Sequence, residues 1–347
     1  MEQNKYKLPI LFFFVLSCAS IQTVKQNNLT IHSNTFKIGF GSCLDQKKPM
    51  PILNSITSEK FDLFLMLGDN IYGSSKNNDL RKLELAYKIQ KKNFKKLGFN
   101  PPFEAIWDDH DYGLNDGGKE HSLNEKSKEL FLEFWDIPQD DSRRFRKGLY
   151  HDLNIKSGSK NIHILFLDTR TFRDKLKPTD RKGFQGKERY IPNDDSSLTM
   201  LGLEQWKWVS KKLSEPTDYR IIVSSIQFIA IGHGWESWKN LPHERDKLIG
   251  FIDKSGIKNT IVLSGDRHRG GIYQLKTDKG NLISEVTSSS LNASYPNSEE
   301  SGPLRIGSTF VEENYGAINF NDKSDTLTIS LKNLFGNHLA SIKVGSL

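Results

Sequence analysis

The chain has 347 residues, 49 Lys plus Arg against 42 Asp plus Glu, a formal charge of +7 and only two cysteines. That length supports a large core without covalent staples, so a disulfide scaffold and a cysteine-rich zinc module are excluded. A charged fraction of 26% beside 21 Phe and 6 Trp is a globular composition and excludes collagen, coiled coil and wholesale disorder.

Lys5 and Lys7 precede the apolar run Leu8–Leu16, and Ser17, Cys18, Ala19 and Ser20 follow it. A basic start, a short apolar stretch and small residues read as an export signal over 1–17, too short to span a bilayer. Three readings of the junction stand. Cys18 carries a lipid anchor on a bacterial membrane lipoprotein, facing the periplasm or the cell surface. Alternatively, an ordinary signal is cut near Ala19 or Ser20 and the chain is secreted, or the terminal segment is retained. Residues 18–34 are polar and read as a tether. No linker divides residues 35–347, which read as one domain.

Phe36–Phe40 alternates as a strand and ends at Gly41-Ser42-Cys43. A short helix is predicted over 51–59, and the apolar run Phe61–Leu67 predicts a buried strand that ends at Gly68-Asp69-Asn70. Residues 79–97 and 124–135 have helical spacing, and between them Phe103–Trp107 reads as a strand ending at Asp108-Asp109-His110-Asp111. Ile162–Leu167 is a strand, 174–198 a polar surface excursion, and 203–213 a helix. Strands over 219–224 and 259–263 flank a helix over 245–255, and the second strand ends at Ser264-Gly265-Asp266. Four more strands (271–276, 283–288, 315–320, 326–331) read as one closing sheet. The order implies an α/β fold, a layered β-sandwich flanked by helices, with polar residues at strand carboxyl ends. The basic runs lack interleaved aromatics, so no specific nucleic-acid partner is indicated.

Four separate strands thus end in groups able to hold metal. Each signal alone is an ordinary turn, a structural Asp–His pair or a small buried thiol. Together they imply a metal centre, and two ions rather than one, because clustered carboxylates repel without a cation between them. Gly68-Asp69-x-Ile71-Tyr72, Trp107-Asp108-Asp109-His110-Asp111 and Ser264-Gly265-Asp266-x-His268 resemble the signatures of PhoD-like alkaline phosphatases and phosphodiesterases, within the calcineurin-like metallophosphoesterase superfamily. The resemblance runs from about Phe36 to at least Arg269 and implies that superfamily's four-layer α/β/β/α sandwich. It implies Cys43 as a thiolate ligand of Fe³⁺, Asp69 as the carboxylate bridging two metals, and Tyr72 as a phenolate on the iron side. It further implies Asp109, Asp266 and His268 as metal ligands, His110 beside the substrate phosphate, and Asn115 as a contact to metal or phosphate. The implied cofactors are Fe³⁺ and Ca²⁺. Asn70 stands where an aromatic residue is common in such proteins, which leaves the exact substrate open.

Other residues carry two readings each. Arg170 is a bidentate phosphate contact or a structural ion pair, and Arg173 likewise. His233, on a glycine-flanked loop, completes the metal set or contacts phosphate. Trp235 and Trp238 form an apolar wall for a leaving group or cap the core. Arg267 balances carboxylate charge or binds phosphate. The leading function is hydrolysis of phosphate mono- or diesters, small-molecule or phospholipid-like, by a metal-bound hydroxide. The alternatives are a non-catalytic, lipid-anchored binding protein on this scaffold, or a metal hydrolase of another ester class.

Overall fold

Strands that are apolar at every position need cover on both faces, and the arrangement supplies it with two sheets and an outer helical layer on each. The computed structural model describes residues 28–345 apart from 32, 34, 77–78, 296–301, 322 and 324–325. The signal region and Cys18 lie outside the described residues. In the six-stranded sheet β2 (Thr35–Gly41), β3 (Leu63–Met66) and β4 (Phe103–Ala105) run parallel. β11 (Asn314–Asn321) lies antiparallel along the other side of β2, with Ile318 opposite Ile38, and β12 (Thr326–Asn333) and β13 (His338–Gly345) continue outward. The seven-stranded sheet is ordered β1 (Asn28–Ile31), β5 (His151–Ser157), β6 (Lys160–Leu167), β7 (Tyr219–Ser224), β8 (Asn259–Ser264), β10 (Leu282–Ser288), β9 (Gly270–Lys276).

The inner faces share one core, in which Ile38, Phe40 and Leu65 meet the cluster that holds Ile164, Ile221 and Leu263. Helices α1 (Ile52–Glu59), α2 (Arg81–Leu97) and α4 (Asn124–Phe134) add Leu53, Leu83 and Phe131 to that core. A second core holds Leu165 and Val262 from the seven-stranded sheet. Trp206 and Val209 of α6 (Gly202–Leu213) and Leu248 of α7 (Pro242–Lys254) pack there. Two single-turn helices, α3 (Asp109–Tyr112) and α5 (Ser142–Phe145), complete the set among the described residues. No helix of the described residues is long and apolar enough to cross a membrane.

Two expectations change. The last strands do not close one sheet: β9 and β10 extend the seven-stranded sheet, while β11 lies beside β2 and β12 beside β11. The polar stretch expected to be tether as far as residue 34 pairs from Asn28 onward, because the free edge of β5 offers Asn154–Ser157 as parallel partners for β1.

The sheets meet at their carboxyl ends. Ser42, just after β2, donates its hydroxyl to the Ser288 carbonyl at the end of β10 (3.1 Å), and Leu291 N–H donates to the Ser42 carbonyl (3.0 Å). The predicted motif turns gather at this seam.

Candidate metal centre

Four candidate ligands sit on tight turns after buried strands, and Asp109 opens the single-turn helix α3. Cys43, Asp69, Asp266 and His268 have φ of 60°, 49°, 65° and 55°. Left-handed backbone at non-glycine residues costs on the order of 1–3 kcal/mol each and persists where surroundings dictate it. Gly68, with φ +106°, makes the β3 turn possible: a Cβ there would lie 2.5 Å from Asp108 Cβ. Gly68→Ala is therefore expected to lose about 3 kcal/mol of stability. Chemical denaturation checks this, and an unchanged midpoint would remove the claim of strain.

The turns bring three donor groups together, each with its ligand atoms within 4.8 Å of one another: Cys43, Asp69 and His268; Asp69, Asp109 and His110; and Asp69, Asp108, Asp109 and Asp266. Asp69 belongs to all three. The Tyr72 phenol oxygen is buried, and its ring lies 4.2 Å from His110 and 6.3 Å from His268. Cys43 Sγ lies 3.6 Å from Asp69 Oδ2 and 3.2 Å from Ser289 Oγ. His110 Nδ1 meets Ser74 Oγ at 2.7 Å. His268 Nδ1 is held by the Ala293 carbonyl, which leaves Nε2 for a ligand.

The electrostatics are those of a cation site. Burial, then Asp109 and Cys43, push the Asp69 carboxyl well above its usual range. Burial, then Asp108, does the same to Asp266. Burial pushes the Cys43 thiol up to about 11 and Asp111 up to about 8. Burial also opposes the charge of Asp109, yet His110 and Arg170 hold its carboxyl below the usual range. Asp108 Oδ2 and Asp109 Oδ1 are buried without a hydrogen-bond partner. Orphaned acceptors inside a ring of acids fit a positive ion, which inverts the local pKa logic and drives off the protons. The donor set of thiol, phenol, imidazole and carboxylates therefore fits a metal. By contrast, the acid–imidazole group of Asp152, His163 and Glu215 already has its cations: Lys212 Nζ lies 2.9 Å from Asp152 Oδ2, and Arg220 bonds His163.

The centre lies at the bottom of a cavity of about 210 Å³, lined by Asp109, His110, Asn115, Asp266, Arg267 and His268 among others. Two predicted substrate contacts lie elsewhere. Arg170 is fully buried beneath the acidic floor. Its Nη2 lies 2.6 Å from both Asp108 Oδ1 and Glu236 Oε2, so its ion-pair reading holds and the phosphate contact is corrected. Arg173 takes the other Glu236 oxygen at 2.8 Å. His233 is also buried, its Nε2 2.9 Å from Gln227 Oε1. Burial holds it well below its usual pKa, so it is a neutral structural ring. Trp238 is in the core, while Trp235 lines the cavity.

Sequence reasoning missed Asp116, Arg189, Glu236 and Tyr295, which also line the cavity. Asp116 is a node: its N–H donates to Asp109 Oδ2 (2.7 Å), and its own Oδ2 accepts from Arg189 Nη1 and the Tyr190 hydroxyl, both at 2.7 Å. The acidic position in Gly113-Leu114-Asn115-Asp116 was the only signal, since its partners come from the polar excursion.

A family model described as PhoD-like phosphatase matches residues 36–333. Alkaline phosphatase D of Bacillus subtilis (strain 168) is 26% identical over 279 residues, which is 67% of this chain and 45% of that protein. The chain thus spans under half the length of that curated relative. A solved structure of PhoD superposes with a TM-score of 0.69 at 17% identity, over 91% of this chain and 69% of that one. A purple acid phosphatase, PPD1, from yellow lupin superposes with 0.62 at 12% identity, over 91% and 54%. GAP50, the anchor in the inner membrane complex of Plasmodium, does so with 0.58 at 10% identity, over 90% and 89%. These three likenesses concern the fold. The family match covers every strand-end motif from Cys43 to His268, and on that ground the chain belongs to the PhoD-like phosphatase family.

Proposed function

We propose that the chain hydrolyses phosphate esters at this centre, with Fe³⁺ and Ca²⁺ as its ions. The observation that carries the reading is Asp69, common to three donor groups at the floor of a cavity. Cys43, Tyr72 and His268 are the soft and phenolic donors suited to ferric iron. Asp109 and Asp266 are hard oxygen donors suited to calcium, and Asp69 serves both. When bound, such ions supply Lewis acidity and a water nucleophile at neutral pH. His110 lines the cavity with its Nδ1 held 2.7 Å from Ser74 Oγ, which leaves Nε2 for proton transfer to the leaving oxygen. Asn115, in the cavity lining, orients the phosphoryl group. The amino-terminal run ending at Cys18 supports an exported, lipid-anchored setting.

The test is elemental analysis of chelator-free protein together with phosphate release from aromatic mono-, di- and triesters. Iron and turnover are expected, and Cys43→Ser is expected to lose most of its iron. A folded chain with neither metal nor turnover would overturn the proposal, and full iron in Cys43→Ser would remove the thiolate ligand.

A further inference from the structure

Beside the acids Asp116 and Glu236, the cavity lining carries two arginines, Arg189 and Arg267. Arg189 and Arg267 both sit over the Trp235 ring, their guanidinium carbons 5.2 and 5.5 Å from its centroid. Tyr295 meets the same indole edge-on at 6.4 Å. The two arginines come from distant segments. Arg267 lies in the turn after β8 and is 6% exposed. Arg189 ends a small hairpin closed by the Pro178–Tyr190 and Phe184–Lys187 bridges.

That hairpin is docked in place. Arg189 and Tyr190 both donate their N–H to the Gly234 carbonyl, at 2.9 and 2.7 Å. The approach is close enough that a Cβ on residue 234 would lie 2.5 Å from Glu188 N. Arg189 Nη1 is fixed by Asp116 at 2.7 Å. A guanidinium has five N–H donors in a rigid fork, so this contact orients Arg189 and leaves most of its donors uncommitted. The indole is the shared contact of the two guanidinium groups.

Size limits what can lie there. The cavity measures about 210 Å³ and opens to solvent on one side, so what it takes in is the phosphoryl group and the atoms next to it. With guanidinium groups already over the indole, a flat aromatic leaving group has to compete with them for the ring.

We propose that Arg189, Arg267 and Trp235 form a second anion subsite, so that the substrates are compact phosphate esters whose leaving group carries a carboxylate or another phosphate. This rests on the phosphoesterase reading of the same centre.

The test separates the two by measuring binding without turnover. Calorimetric Kd values are compared for 3-phosphonopropionate, propylphosphonate and phenylphosphonate on the metal-replete full chain. The carboxylated probe is expected to bind at least tenfold more tightly than propylphosphonate. Arg189→Gln is expected to reduce that gap to about twofold, and Arg189→Lys to restore part of it. Equal affinity for the two alkyl probes, a gap unchanged in Arg189→Gln, or tighter binding of phenylphosphonate than of 3-phosphonopropionate would each overturn the subsite. Turnover of simple alkyl phosphates without the gap sinks the subsite alone. A gap with no turnover of any ester supports the subsite and sinks the hydrolytic reading.

Discussion

Asp69→Ala is expected to cut phosphate release by about a thousandfold or more, near 4 kcal/mol of transition-state stabilisation. Asp69 is the one carboxylate common to all three donor groups, so its loss removes a ligand from both sides of the centre at once. Its Oδ1 also accepts the His110 backbone N–H at 3.3 Å, so the residue proposed to serve the leaving oxygen loses an anchor. Asp69→Asn separates a metal ligand from a structural residue. In the metal-free chain the folded-state pKa of Asp69 is raised. The folded state therefore holds the proton, and its contribution to stability is complete below the unfolded pKa and lost as pH rises through the folded value. An uncharged amide escapes that loss. Metal-free Asp69→Asn is thus expected to outlast the metal-free parent increasingly as pH rises from about 4, while being inactive when metal is supplied. Parent-like turnover in a folded Asp69 variant would sink the assignment.

Arg170→Leu is expected to cost about 3–5 kcal/mol of stability at pH 8, the range for removing one partner of a buried ion pair. The guanidinium faces Asp108 and Glu236 with no solvent to replace it. Burial already raises the pKa of both carboxyls, with Arg170 working against it. Without Arg170 the two can only take up protons, which grows harder as pH rises. The loss is therefore larger at pH 8 than at pH 5. A substrate contact would give the opposite signature: a raised KM, an unchanged unfolding midpoint and no such pH trend. Denaturant titrations at the two pH values, with kinetics on the same preparation, decide between them.

The strand-end candidate donors were legible because each is local. A dense apolar run stops, and Gly, Asp and His follow within a few residues, as at Gly68-Asp69 and Gly265-Asp266. The left-handed turns that aim these side chains are invisible in composition, since Asp and His tolerate that region only when the fold requires it. What Arg170 and His233 face was also hidden. Both look like phosphate ligands in isolation, and only the burial of Glu236 and Gln227 beside them turns them inward. The hairpin that delivers Arg189 read as a polar excursion because its order comes from Gly234 and Asp116, not from its own periodicity. Strands β1, β5 and β13 escaped notice for a related reason. β1 and β13 are edge strands, where the apolar signal is weak, and β5 (HDLNIKS) mixes His, Asp, Asn and Lys with only two aliphatic residues.

The seam at which the centre lies also bears on the order of events in folding. Cys43, Asp69 and Asp109 hang from one sheet, Asp266 and His268 from the other, and the nearby Ser42–Ser288 contact joins residues 246 positions apart. No single hairpin carries the whole donor set, so the full set would form only after long-range closure, and a bound ion would then join the two layers. The rate at which such an ion exchanges into chelator would therefore report how often the two sheets part, a clock for the opening of the sandwich.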